Sequence, residues 1–406
     1  MKRIYLFFIA LGVLLVLTAG GIATAVGYFN SRQRSIPIVF SDNALLTETY
    51  KDYKSNLIEP GSGRTLDKSQ DNLTTSEGES YTMLRAVWMD DKATFDASWK
   101  FTRENLQRPD KLFSWKYGKL SDGSYGILKD QGGTNTASDG DQDIALSLLM
   151  GYHRWNDSQY LAAAKPIINS IWNNEVVQVA GKPVLVANDL EKNSPTTVVV
   201  NPSYFGFANY KVFAAVDPIH DWNGLRDNSY TLLNALSADK LDKASSDGLP
   251  PDWITLNRTT GAFLPAAAPN LDTNFGYDAF RIPFRLALDH QWFQDERDKT
   301  SLSRYGFLQQ FWKSNKVINA TYAHDGTVVA TEESPAMYGA TIGYFKIINP
   351  AMAKDIYETK LQTLYSPDQQ SWKAPAPGYY EDNWAWFGIA LYQNALPDLT
   401  GVSGTK

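Results

Sequence analysis

The chain contains no cysteine, which removes disulfides, thiolate nucleophiles and cysteine-held metals together. It has four histidines, His153, His220, His290 and His324, and no two are spaced as a zinc-binding pair. No G-x-S-x-G elbow, P-loop or dinucleotide fingerprint occurs. No run of Lys or Arg lies beyond the N-terminus and the formal net charge is -6, so nucleic acid is not the expected partner. By elimination, acid–base work falls to carboxylates.

What is present starts with an uncharged, largely apolar stretch from Ile4 to Phe29, preceded by Lys2-Arg3. A bilayer takes roughly 20 apolar residues to cross, and the leading positive charges would stay in the cytoplasm, sending the rest outward. Ala23-Thr24-Ala25 is a small-x-small pattern that a signal peptidase could cut. The run is longer than the ~7 to 15 residues usual in a signal peptide, which favours a permanent anchor. Residues 1–30 are therefore read as an anchor or signal segment and 31–406 as a single domain, since no later loop is long enough to serve as a linker. The domain is rich in aromatic residues, with 12 Trp and 22 Tyr. Rings with polar tips are common where hydroxylated ligands are held, although any single ring is more often core.

Apolar residues recur at helical spacing over Tyr81–Val87, Asp143–Trp155, Tyr160–Trp172, Tyr230–Leu236, Asp278–Asp289, Ser301–Trp312 and Trp384–Gln393. Two stretches break the rhythm and read as hairpins: "VVQVAGKPVLVA", turning at Ala180-Gly181-Lys182, and "VINATYAHDGTVVAT", turning at Asp325-Gly326. Polar loops are expected at 59–72, 121–140, 245–252 and 365–378.

The acids cluster in three places. In "LTTSEGESYTML", Ser76 and Glu79 have the S-x-x-E spacing of a capping box. Glu77 then falls at the first helical position, where the helix dipole favours its ionised form. A general acid must instead keep its proton near neutral pH, which requires burial or a neighbouring carboxylate. Gly78 costs a helix about 1 kcal/mol relative to alanine but would clear space beside Glu77 for a substrate. The plain alternative is a solvated helix start. In "TASDGDQDIALSLLMGYHRW", Asp139, Asp141 and Asp143 enter an apolar helix. An EF-hand loop is excluded because Ile144 and Met150 stand at its sixth and twelfth positions. One N-cap and a solvated first turn would account for two of the three acids. In "FGYDAFRIPFRLALDHQW", Tyr277, Asp278, Arg281 and Arg285 come together, and Asp278 and Arg281 have the spacing of a helical ion pair.

Taken in order, "SEG", "ASDGDQDIALSLLMGYHRW", "NPSYF", "LPPDW" and "YDAFRIPFR" resemble glycoside hydrolase family 8, bacterial endoglucanases and exopolysaccharide hydrolases, over roughly residues 36–395. The second motif follows the family pattern almost residue by residue, with Gly151 where alanine is usual. The resemblance implies an (α/α)6 barrel, which with the hairpins and N-terminal stretch read above gives an all-α fold with small β-hairpin inserts, preceded by one N-terminal transmembrane or signal helix. It implies hydrolysis with inversion of the anomeric centre. Glu77 matches the proton donor, Asp278 the general base, and Asp139 the aspartate that holds and helps distort the sugar. Tyr204, Tyr277 and Arg281 resemble cleft residues around that sugar, and Trp115 of "FSWKYG" a stacking platform. Inversion asks that the two catalytic carboxyls stand ~6.5 to 9.5 Å apart, leaving room for water, and Asp139 beside Glu77 would supply the like charge that keeps the acid protonated. No metal or organic cofactor is implied. The run "ESYTML" after "SEG", and Phe284 where tryptophan is frequent, depart from the family and leave the sugar open.

The expected function is an exported, endo-acting glycosidase on a β-linked polysaccharide, β-1,4-glucan-like or bacterial exopolysaccharide. It would be held at the outer membrane face by its N-terminal segment, or secreted if cut near Ala25, and could partner an exopolysaccharide synthase complex. The alternative is a catalytically inactive glycan-binding component, against which Glu77, Asp139 and Asp278 together argue. A polysaccharide lyase would use a Tyr, His or Arg constellation on uronic acids, which the acidic net charge disfavours.

Overall fold

Two classes of helix alternate along the chain, and their burial tells them apart. The structure, a computed structural model, describes residues 44–264, 271–374 and 378–402. The helices are α1 (Ala44–Leu57), α2 (Ser76–Trp88), α3 (Lys92–Phe101), α4 (Ser138–Trp155), α5 (Ser158–Glu175), α6 (Phe207–Val216), α7 (Trp222–Ala238), α8 (Arg281–Phe293), α9 (Glu296–Leu302), α10 (Gly306–Asn315), α11 (Pro335–Ile348), α12 (Pro350–Ile356) and α13 (Tyr379–Tyr392). In α2, α4, α8, α11 and α13 nearly every residue of the first three turns is buried. α1, α3 and α5 bury one face only. Helices buried all round belong inside a larger assembly, and amphipathic ones outside it.

The packing order agrees. α2 touches α4, α4 touches α6, α6 touches α8, α8 touches α11, α11 touches α13, and α13 returns to α2. Each member of this ring has an outer neighbour: α3 on α2, α5 on α4, α7 on α6, α9 on α8, α12 on α11 and α1 on α13. Among the described residues, the fold is thus mainly helical, with six inner helices ringed by six outer ones, an (α/α)6 arrangement. Outer helices start on side-chain caps, Asp91, Asp157, Asp221 and Asp295, each accepting from a first-turn N–H.

Short antiparallel strands decorate the loops: β1 (Thr74–Thr75), β2 (Lys116–Lys119), β3 (Tyr125–Ile127), β4 (Val176–Val179), β5 (Lys182–Leu185), β6 (Thr197–Val200), β7 (Ile254–Asn257), β8 (Phe263–Leu264), β9 (Thr321–Tyr322) and β10 (Val328–Ala330). Both expected hairpins are found, β4–β5 and β9–β10. The first turns on Ala180 and Gly181, both at positive φ, as a two-residue hairpin of this kind requires. Three expectations change. The loop expected over 365–378 carries a short antiparallel pair, Tyr365–Ser366 against Ser371–Trp372. The helix expected over Ser301–Trp312 is divided, because α9 ends at Leu302 and α10 begins at Gly306. Leu302, Tyr305, Leu308 and Trp312 are all buried, so the apolar spacing runs on across a break in the backbone. The loop expected over 121–140 carries β3 and the start of α4. The apolar stretch Ile4–Phe29 lies outside the described residues, among which no helix is long and apolar enough to cross a membrane.

Candidate active site

The strand β1 runs straight into α2, and β2 ties down the junction: Thr75 pairs with Lys116, and the Ser76 N–H donates to the Trp115 carbonyl at 3.1 Å. The N-cap is Thr75, whose Oγ1 accepts from Gly78 N at 2.9 Å. The capping box expected of Ser76 and Glu79 is therefore not formed. Ser76 is the first helical residue, and Glu79 turns into the protein, where it is fully buried and accepts from Thr65 N and Ser98 Oγ, both at 2.6 Å. Burial raises its carboxyl to about 7. Glu79 is structural, but as an interior acid holding two chain segments. Glu77, on the other face, keeps 17% of its side chain exposed.

The three aspartates entering α4 are not a solvated first turn. The N-cap is Ala137, without a side-chain bond, and Asp139, Asp141 and Asp143 are all buried. The solvated start is ruled out because each acid has an interior partner. Asp143 makes two bonds of 2.7 Å to the Arg285 guanidinium and accepts from Asn209 at 3.0 Å. Asp141 accepts from Phe113 N at 2.9 Å and stands against Glu175, whose carboxyl is pushed up to about 8, chiefly by burial. Asp139, 2% exposed, meets Arg281. Gly140 lets it approach: a Cβ there would lie 2.8 Å from Ser76 Oγ and 3.0 Å from Glu77 N, so the starts of α2 and α4 abut.

Arg281 gathers the rest. It is the first residue of α8 and is 1% exposed. Its Nη1 donates to Glu77 Oε2 at 2.6 Å and to Asp139 Oδ2 at 3.1 Å, and its Nη2 to Asp278 Oδ1. Asp278 lies in the turn before α8, not on a helical face, and its pairing with Arg281 is no surface ion pair; its own side chain is 29% exposed. Glu77 and Asp278, both partly exposed, thus stand at two nitrogens of one guanidinium, with Asp139 buried. Burial first, and the Glu77 charge second, raise the Asp139 carboxyl to about 7.

The remaining expected residues surround this cluster. Arg281 lies over the Tyr204 ring at 5.2 Å, and Tyr204 meets Trp253 edge-on at 5.9 Å. Tyr277 is 40% exposed beside Asp278 and 6.1 Å from the Tyr380 ring. Trp115, half-buried, is fixed by its Nε1 donating to the Gly132 carbonyl at 2.9 Å, next to the start of α2. The room expected beside Gly78 is used differently. A Cβ there would meet Thr75 Oγ1 at 3.2 Å and the Tyr379 ring at 3.4 Å, and the Tyr379 hydroxyl donates to Glu77 Oε1 at 2.8 Å. The glycine admits a tyrosine that orients the acid.

Residues 32–381 match the model of glycosyl hydrolases family 8. The chain belongs to that family. Among its curated relatives, Endoglucanase A of Acetivibrio thermocellus is 28% identical, the match covering 98% of this chain and 82% of that protein. Endoglucanase 2 of Ruminiclostridium josui is 31% identical over 76% of this chain and 65% of its own length. Solved structures include an endo-1,4-D-glucanase from Vibrio fischeri ES114, with TM-score 0.70 and 25% identity over 85% of this chain and 94% of that one. A β-1,3-1,4-glucanase from Paenibacillus sp. X4 superposes with TM-score 0.70 at 24% identity, covering 86% and 90%. As a family 8 member, the protein is a glycoside hydrolase.

Several residues of this family 8 site carry no sign in the sequence. Tyr379 and Tyr380 open α13 as two more aromatics in an already aromatic helix, and nothing in "GYYEDNW" marks one as reaching Glu77. Arg285, by contrast, groups with Arg281 in the sequence, one turn away, but its buried pairing with Asp143 carries no sign there.

Proposed function

We propose that this family 8 hydrolase is endo-acting and inverting, with Glu77 as general acid and Asp278 as general base on a β-linked polysaccharide, β-1,4-glucan-like or bacterial exopolysaccharide. The observation that carries this reading is Arg281, which joins Glu77, Asp139 and Asp278 although they come from three separate segments. Glu77 would protonate the departing glycosidic oxygen while Asp278 draws a proton from water attacking the opposite face of the sugar. Asp139, its carboxyl raised to about 7, shares the Arg281 guanidinium with Glu77 and would hold the sugar at the point of cleavage. Tyr204, Tyr277 and Trp115 supply ring faces and edges along the cleft. The substrate class is supported by the relatives' names, endoglucanases and β-glucanases. For placement in the cell, we favour an extracytoplasmic enzyme held by its apolar N-terminal stretch, or released by cutting near Ala25, working on the exopolysaccharide of a synthase complex.

The test is hydrolysis of carboxymethyl-cellulose and mixed-linkage β-glucan, with NMR of the first-formed products. New reducing ends of α configuration are expected, and Glu77→Gln should cut turnover by about 10²- to 10⁴-fold. Products first formed as the β anomer would overturn inversion. Full activity of Glu77→Gln would overturn the assignment of the acid, and glycan retention without cleavage by the wild type would favour a binding component.

A further inference from the structure

"LPPDW", residues 249–253, contains two side chains that the reaction above leaves without a task. Asp252 is buried, and its Oδ1 accepts three backbone N–H groups, from Gly276 at 3.1 Å, Asp278 at 3.1 Å and Ala279 at 2.6 Å. Its own N–H donates to the Asn274 carbonyl at 2.6 Å. The next residue, Trp253, donates its indole N–H to Asp278 Oδ2 at 2.9 Å. Consecutive residues therefore grip one aspartate twice, by its backbone and by its carboxylate. Their place is fixed by strand register. Val200 pairs with Ile254, so the exit of β6 toward Tyr204 lies beside the entry of β7 from Trp253.

We infer that Asp252-Trp253 is the positioning clamp of the general base: Asp252 sets the turn that carries Asp278, and Trp253 sets one carboxylate oxygen while Arg281 sets the other. This rests on the reading of Asp278 as the base. The charged and titratable groups around Asp278 are Arg281, Asp252, Tyr204 and Tyr380, with Glu77 and Asp139 beyond the guanidinium. Burial, and then the charge of Asp278, push the Asp252 carboxyl well above its usual range. Its role in the clamp rests on Oδ1 as the acceptor of those three backbone N–H groups. Asparagine, with an accepting oxygen in the same position, should replace Asp252 in that role.

The experiment is the pH profile of kcat/KM, with kcat and KM separated, for wild type, Asp252→Asn, Asp252→Ala, Trp253→Phe and Asp278→Asn. Asp252→Asn, which keeps the accepting oxygen, should stay within about threefold of wild-type kcat. Asp252→Ala should lose about 10²-fold in kcat with little change in KM, the cost of a misplaced catalytic group. Trp253→Phe removes a donor to the charged form of Asp278, so the acidic limb should move up by about half to one pH unit. An unmoved limb in Trp253→Phe, or wild-type kcat in Asp252→Ala, overturns the clamp. If thermal melts show Asp252→Ala unfolded, the limb in Trp253→Phe decides. Wild-type turnover by Asp278→Asn would instead overturn the assignment of the base.

Discussion

Replacing Glu79 by glutamine should make the protein more stable at neutral pH, although the wild-type carboxylate accepts two short hydrogen bonds. Glu79 has no basic partner; it accepts from Thr65 N and the Ser98 hydroxyl in a fully buried place, and burial lifts its carboxyl from 4.5 to about 7. The folded state therefore binds a proton that the unfolded chain releases above about 4.5. Stability falls with rising pH wherever the native state holds more protons, so this contribution is complete near pH 4.5, declines through about pH 7 and is level above. A tenfold change in proton affinity between the folded and unfolded chain is worth about 1.4 kcal/mol, which puts the loss on the order of 3 kcal/mol. Glutamine keeps an acceptor for Thr65 N, offers an N–H to the Ser98 oxygen and cannot ionise. Urea unfolding of both proteins at about pH 4.5, 6 and 8 isolates the effect, since other titrating groups cancel in the difference. The stability of Glu79→Gln relative to wild type should grow by about 3 kcal/mol across that range. A difference that does not change with pH would refute the argument and place the charge of Glu79 among satisfied, costless ones.

Two further outcomes follow from the same geometry. Tyr379→Phe removes the hydroxyl that donates to Glu77 Oε1 at 2.8 Å; a misplaced catalytic group costs up to about 10²-fold, so steady-state kinetics should show kcat reduced about ten- to hundredfold, and an unchanged kcat would mean the tyrosine does not orient the acid. Arg285→Met leaves Asp143 buried with only Asn209 as donor, which should cost about 3 to 5 kcal/mol in chemical denaturation.

Helical spacing and two-residue turn signatures make individual helices and hairpins legible, but the ring of six inner and six outer helices is expected only through the resemblance, since inner helices such as α2 and α8 carry polar and charged residues that are buried all the same. The carboxylates proposed to react could be named only through the resemblance, since Glu77, Asp139 and Asp278 are far apart in the chain. Local reading misassigned their surroundings. Ser76 and Glu79 satisfy the spacing of a capping box, but Thr75 already sits in the extended conformation of β1 and can cap Gly78 N, which frees Glu79 for Thr65 and Ser98. Three aspartates in five residues resemble a solvated helix start until Arg281, Arg285 and Glu175 arrive from elsewhere. Spacing reports which residues share a helix face; it cannot report which guanidinium another helix will bring.

The ring closes between the ends of the described chain, with α13 against both α1 and α2. Tyr379, at the start of α13, completes the hydrogen bonding of Glu77, which sits near the beginning of the fold. Glu77 and the tyrosine that steers it are thus 302 positions apart in the chain. A chain still emerging from the ribosome can hold Glu77, Asp139 and Asp278 yet lack α13, so the hydrogen bonding of Glu77 is completed only after that helix has been made. Order of synthesis works here as a delay on the assembly of the cluster.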